Sequence, residues 1–309
     1  MSREVLNQSI CLKEYICEKE YKEVNELAKL CSLNDKTNLK LELDYKLNMS
    51  RNSEIGLGKI NEFLYYIDDV LVAYLGISSF GGNIVEINGM THPEFRRKGI
   101  FSKLFELSID ECKKRSFDKL LLLSDGKEQS GVEFIKAVGA NYDFSEYRMK
   151  QLNKINLENI NSISLRKAGK LDGNDVVRQN AMFFNDSDEE ETSLEEGEKL
   201  TDEVNFDEST YMIELKNQII GKINVEYNEN SAFIFGFGIL PDFRGKGYGK
   251  AALKEALRLI REKNISKIEL DVECKNDTAL NLYKACGFEE QSIMNYYEYS
   301  FNSGIKNNC

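Results

Sequence analysis

The densest run of residues able to do chemistry is Arg244-Gly245-Lys246-Gly247-Tyr248-Gly249-Lys250. Its glycines let a backbone approach a ligand closely and adopt positive φ. The run lies between a strand-like apolar stretch and a helical pattern, so the first N–H groups of the new helix lack intrahelical partners and form an anion site. Arg244, Lys246 and Lys250 add positive charge to a half of the chain that is otherwise acidic. The natural occupant is a diphosphate. Two common diphosphate patterns do not fit. The triphosphatase loop G-x-x-x-x-G-K-[ST] needs a hydroxyl where Ala251 stands, and the dinucleotide turn G-x-G-x-x-G is replaced by G-x-G-x-G.

Downstream stand Leu270-Asp271-Val272, then Asn276, Ala279, Leu282-Tyr283 and Gly287-Phe288. Loop and segment together resemble the [QR]-x-x-G-x-[GA] and V-x-x-x-N-x-x-A-x-x-L-Y-x-x-x-G-F signatures of the GCN5-related N-acetyltransferases (GNAT family). The resemblance covers about residues 162–300, and more loosely about 9–150. It implies an α/β fold with a mixed α+β sheet, acetyl-CoA as co-substrate without a metal, and a pyrophosphate cradled by Arg244, Gly245, Lys246, Gly247, Tyr248, Gly249 and Lys250. It further implies acetyl transfer to a primary amine by direct attack in a ternary complex. Two such domains in tandem is an organisation similar to that of mycothiol synthase, although no residue argues for that substrate.

Acetyl transfer from a thioester needs a neutral amine, an acceptor for its proton, a polarised carbonyl and a stabilised leaving thiolate. The resemblance places Tyr283 as the acid that protonates the thiolate; the plainer reading is a packed helix tyrosine. Asp271, twelve residues earlier on the alternating run KIELDVE, shares a face with Glu269 and Glu273. It is the candidate base, acting through a water, or else part of a solvated strand face. Transferred from the family by distance from Pro241, the backbone N–H groups of Phe237 and Ile239 serve the acetyl carbonyl and the pantetheine amide. Asn276 either bonds the cofactor arm or caps the next helix with Asp277.

The elements that must position these groups occur twice. The chain has only two prolines, Pro93 and Pro241, opening PEFRRKG and PDFRGKG at an offset of 148. The same offset superposes Lys136, Ala137 and Gly139 on Lys284, Ala285 and Gly287, and Phe105, Ile109 and Cys112 on Leu253, Leu257 and Ile260, one buried helix face. Two homologous domains are expected, 1–152 and 153–309, each with hairpin strands first and βαβ units later. Comparison across the offset puts Ile135 at the place of Tyr283, Leu123 at Asp271 and Phe101 at Gly249. The first domain is therefore expected to be catalytically silent. Glu86 lies seven residues before its proline rather than eight, which without a bulge would turn it to the opposite face.

Composition bounds the rest. The chain has 309 residues, 41% hydrophobic and 30% charged, enough for sizeable cores. A single histidine, His92, excludes histidine-rich metal sites and argues against a Ser-His-Asp enzyme. The seven cysteines are scattered without CxxC, as expected of reduced thiols in a cytoplasmic protein. A net charge of −11 disfavours nucleic acid and anionic membrane as partners. Eight acids lie within residues 186–198, either a solvated loop or a segment that attracts a cationic amine. The alternative function is a non-catalytic acyl-CoA-binding or regulatory protein.

Overall fold

The computed structural model describes residues 7–48, 58–79, 83–153, 155–157, 163–184, 209–228 and 230–301. It divides into two compact units, Met1–Ser145 with Ser292–Cys309, and Glu146–Gln291. Unit 1 begins with β1 (Gln8–Lys13), α1 (Glu18–Asp35) and α2 (Leu43–Asn48). Three antiparallel strands follow, β2 (Glu62–Ile67), β3 (Val70–Ser78) and β4 (Ile84–Thr91), then α3 (Ile100–Lys114), β5 (Lys119–Asp125) and α4 (Gln129–Ala137). β5 runs parallel to β4, and its other edge pairs antiparallel with residues 294–299 at the end of the chain. On one face of this sheet α3 packs Leu104, Phe105 and Ile109 against Phe63, Leu75 and Leu122. On the other, Val24, Leu27 and Cys31 of α1 cover Leu64, Tyr74 and Met90.

Unit 2 repeats the plan. It receives β6 (Asn141–Gln151) and continues through β7 (Ile163–Lys167), α5 (Gly173–Phe184), β8 (Thr210–Leu215), β9 (Gln218–Tyr227) and β10 (Ser231–Ile239). α6 (Tyr248–Glu262), β11 (Lys267–Glu273) and α7 (Asp277–Lys284) follow, before the last strand, β12 (Phe288–Tyr299). α6 is amphipathic as its sequence requires. Ala252, Leu253, Ala256, Leu257 and Ile260 are fully buried against Ile223, Val225, Ile234, Ile268 and Leu270. Each such leucine or isoleucine contributes about 1.5–3 kcal/mol. The alternate residues of β11, Glu269 and Asp271, face the opposite side of the sheet.

The mixed α/β fold expected from the sequence is present in both units. The compact units differ from the expected domains, 1–152 and 153–309, at both ends. Residues 146–150 of β6 pair with β11 in unit 2, while residues 294–299 of β12 pair with β5 in unit 1. Each repeat thus sends its final strand into the sheet of the other, which an offset between sequences cannot reveal. The polar stretch after β6 packs closely at its start, because the N–H groups of Leu152 and Asn153 both donate to the Gly287 carbonyl, at 3.0 and 3.1 Å. Among the described residues no helix is long and apolar enough to cross a membrane, and the six described cysteines are free thiols. Residues 186–198, the acidic segment, lie outside the described residues.

Candidate active site

The site in unit 2 starts from a defect in β10. This strand pairs in parallel with β11 only at residues 231–234. Against β9 its register breaks: Phe235 faces Asn224 and Gly238 faces Lys222, so Gly236 and Phe237 together oppose Ile223. That is a β-bulge, and Gly236 carries the left-handed φ of 55° that it requires. Among the described residues the β11-facing edge of β10 has no ladder partner beyond Ile234, so backbone groups near Phe237 and Ile239 border a gap between the two strands.

At the end of β10 the chain makes a short turn, Pro241–Phe243, and enters the glycine loop. Gly245 (φ 73°) and Gly247 (φ 80°) are left-handed, and Gly247 is the N-cap of α6. No side chain caps this helix and no acid stands in its first turn. The N–H groups of the first turn, including those of Tyr248, Gly249 and Lys250, therefore face outward, with the positive end of the helix dipole behind them. Arg244 Nε donates to the Ile239 carbonyl at 2.7 Å, tying the loop to the strand end, and no carboxylate among the described residues pairs with its guanidinium. Lys246 Nζ donates to the Asp242 carbonyl at 2.7 Å. Nothing lies within 4 Å of where a Cβ on Gly245 would project. The loop fits a diphosphate in charge and in backbone access. At Gly249 a Cβ would stand 3.6–3.9 Å from Leu282, Ile239 and Phe237, so strand end, loop and α7 converge there.

Tyr283 is 8% exposed, with its ring edge-on to Phe288. Among the described residues no group hydrogen-bonds its hydroxyl, and burial pushes the phenol up to about 12. It therefore stays protonated through the neutral range and can give up a proton but not act as a base. A thiol of ordinary pKa near 8.5 is roughly 3.5 units more acidic, about 5 kcal/mol against transfer. A thiolate in the same apolar surroundings is itself made more basic, which narrows the gap. Asn276 caps α7, its side-chain oxygen accepting from Ala279 N–H at 3.0 Å. Asp271 is gripped by Arg148, from Nε to Oδ1 and from Nη2 to Oδ2 at 3.0 Å. Arg148 also lies over the Phe233 ring, 4.9 Å from its centroid. Sequence reasoning missed Arg148, which arrives on β6 from the other side of the expected domain boundary. It also missed Lys222, whose only signal was a lone cation inside the apolar run IIGKINV.

The same places in unit 1 are filled differently. The loop backbone is alike: Arg97 (φ 61°) and Gly99 (φ 74°) match Gly245 and Gly247, and Arg96 Nε donates to the Thr91 carbonyl as Arg244 does to Ile239. Arg97 bears about 1 kcal/mol of left-handed strain that glycine avoids. The Arg96 guanidinium, however, is forked onto Asp35 at 2.8 and 2.6 Å. Across the offset, Asp35 matches Phe183, whose ring lies 5.8 Å from Arg244. Phe101 packs against Gly89 and meets Phe134 edge-on at 5.0 Å, standing where unit 2 has Gly249. A cavity of about 440 Å³ remains between the ends of β4 and β5, lined by Met90, Leu123 and Phe134 and by Arg96, Gly99 and Phe101 of the loop and helix start. One expectation is corrected here. Glu86 faces Ser78 on β3 just as Phe233 faces Glu226 on β9, so Glu86 holds the ladder position of Phe233 rather than the opposite face. The bulge is in β10 and not in β4, and this accounts for the one-residue slip.

A family model described as "Acetyltransferase (GNAT) family" matches residues 27–139 and again 177–288. The chain belongs to the acetyltransferase (GNAT) family. It is a tandem GNAT protein. It is 39% identical over 69 residues to an uncharacterized N-acetyltransferase, YycN, of Bacillus subtilis, covering 22% of this chain and 44% of that protein. It is 30% identical over 127 residues to mycothiol acetyltransferase of Renibacterium salmoninarum, covering 38% of each. The chain thus spans less than half the length of these two relatives. Among solved structures, a GCN5-related N-acetyltransferase from Sphaerobacter thermophilus superposes with a TM-score of 0.73 at 16% identity, over 94% of this chain and 95% of that one. That likeness is one of fold.

Proposed function

We propose that unit 2 transfers the acetyl group of acetyl-CoA to a primary amine by direct attack in a ternary complex. The observation that carries this reading is the opening beside bulged β10, placed against a helix start that is glycine-lined, basic and free of acids. The loop 244–250 would hold the diphosphate, and the edge of β10 the pantetheine arm. The Phe237 N–H would donate to the acyl oxygen as negative charge gathers there. Attack forms the N–C bond and breaks C–S. Asp271, its plane fixed by Arg148, takes the amine proton through a water. Tyr283 gives its proton to the departing sulfur.

For unit 1 we propose no catalysis. Ile135 and Leu123 carry no proton, and Asp35 occupies the arginine that would otherwise meet a phosphate. The acidic segment 186–198 favours a cationic acceptor. Thiol release from acetyl-CoA by the full chain, across a panel of amines that includes polyamines and basic peptide N-termini, tests the reading. Turnover with a cationic amine, with a KM that rises with salt, is expected. Absence of turnover across the panel despite acetyl-CoA binding would favour the non-catalytic acyl-CoA-binding alternative.

A further inference from the structure

One buried cation has no part in the scheme above. Lys222 on β9 is 2% exposed, and its side chain lies on the sheet face that carries Phe233 and Asp271. Two glycines of β10 make room for it. A Cβ on Gly236 would come within 3.1 Å of the ammonium, and Gly238 is its ladder partner. Lys222 Nζ donates to the Gly236 carbonyl at 3.0 Å. That carbonyl and the N–H of Phe237 belong to one peptide unit, the unit that forms the bulge. Burial lowers the amine to about 8, so the charged form still predominates at pH 7.

Unit 1 lacks this arrangement. Tyr74 takes the place of Lys222 across the offset, and the ammonium buried there, Lys46, bonds Tyr74 at 2.9 Å and Glu62 at 3.2 Å. The ladder position of Glu62 is held in unit 2 by Thr210, and β4 has no bulge to polarise.

We propose that Lys222 is a positioning residue for acyl transfer: by donating to the Gly236 carbonyl it polarises the Gly236–Phe237 peptide and makes the Phe237 N–H a stronger donor to the acyl oxygen. The inference rests on the acyl-transfer reading of β10 given above. Its physical basis is that hydrogen bonds to a charged group are roughly twice as strong as neutral ones, and that bonds in series strengthen each other by about 10–30%. A single oxyanion donor supplies about 10²–10³ in kcat, so that strengthening corresponds to about fivefold.

The test uses the full chain and acetyl-CoA labelled with ¹³C at the thioester carbonyl. Binding is followed by calorimetry, the bound carbonyl by infrared spectroscopy, and kcat with the best amine of the panel. Lys222→Met keeps the volume without the charge, and Lys222→Gln keeps a donor for Gly236 without the charge. In Lys222→Met, kcat should fall about fivefold while the KM for acetyl-CoA changes less than about twofold. Its bound carbonyl band should move part of the way back to the free position, with Lys222→Gln between it and the wild type. If Lys222→Met does not fold, Lys222→Gln alone carries the comparison. A Lys222→Gln chain equal to wild type in band and kcat would show a neutral peg rather than a polarising charge, and would overturn the proposal. So would a Lys222→Met band at the wild-type position. Wild-type chain that binds no acetyl-CoA at all would instead bring down the acyl-transfer reading and this inference with it.

Discussion

The two units share a loop backbone almost angle for angle, and differ in what surrounds it. In unit 2 an arginine anchored to the strand end leaves its guanidinium beside a phenylalanine ring. In unit 1 the same arginine, anchored the same way, is forked onto Asp35. Phe101 puts a ring where unit 2 has Gly249, at the edge of a cavity of about 440 Å³ that it lines, and β10 carries a bulge that β4 lacks. We propose that a phosphate-type loop alone does not make a transferase site, and that it needs beside it a bulged strand, a cation not taken up by a carboxylate and a proton donor, each of which can be lost without disturbing the fold.

Changes to single residues can break this contrast. The largest expected effect is that of Tyr283→Phe, which should lower kcat by about 10³-fold with little change in the KM for acetyl-CoA. Because the phenol lies near 12, no limb of the wild-type pH–rate profile between pH 6 and 9 should belong to it. Unchanged turnover would return Tyr283 to a packing role. Gly249→Phe copies unit 1 into unit 2 by placing a ring where Phe237, Ile239 and Leu282 meet. It should cost about 10²-fold in kcat/KM, mostly through acetyl-CoA; wild-type kinetics would mean that a ring at this place does not obstruct the cofactor. Asp271→Asn should lower kcat about tenfold with little change in the KM for acetyl-CoA. An unchanged kcat would place the base elsewhere.

The smallest effect belongs to unit 1. Asp35→Asn removes one half of a partly buried ion pair and should cost about 1 kcal/mol of stability at neutral pH with turnover unchanged. The Arg96 guanidinium holds the Asp35 carboxyl below its usual range. Stability from this pair is therefore complete above the unfolded pKa near 4 and is lost as pH falls through the folded value. The wild type and the variant should converge in melting temperature under strongly acidic conditions and differ at pH 7. A large loss of turnover would mean that unit 1 takes part in the chemistry.

Much of this was legible in the sequence. Alternation located β11, the i, i+4, i+7 apolar spacing located α3 and α6, and the two prolines located both loops to the residue. What escaped depends on pairing between distant strands. The bulge at Gly236–Phe237 exists only relative to β9, so a count back from the proline cannot give the face of Glu86. The exchange of final strands hid Arg148, because its partner Asp271 lies 123 residues away in the other repeat. The Asp35–Arg96 fork joins the end of α1 to the loop before α3, and no local pattern announces it. Asn276 was readable in two ways, and the structure shows it capping α7.

The claim that acetyl-CoA chemistry resides in unit 2 alone is tested most directly by calorimetric titration of the full chain with acetyl-CoA, repeated on Gly249→Phe. One tight site per chain is expected, lost in the variant. Two equivalent sites in the wild type, or one tight site that survives in Gly249→Phe, would contradict it.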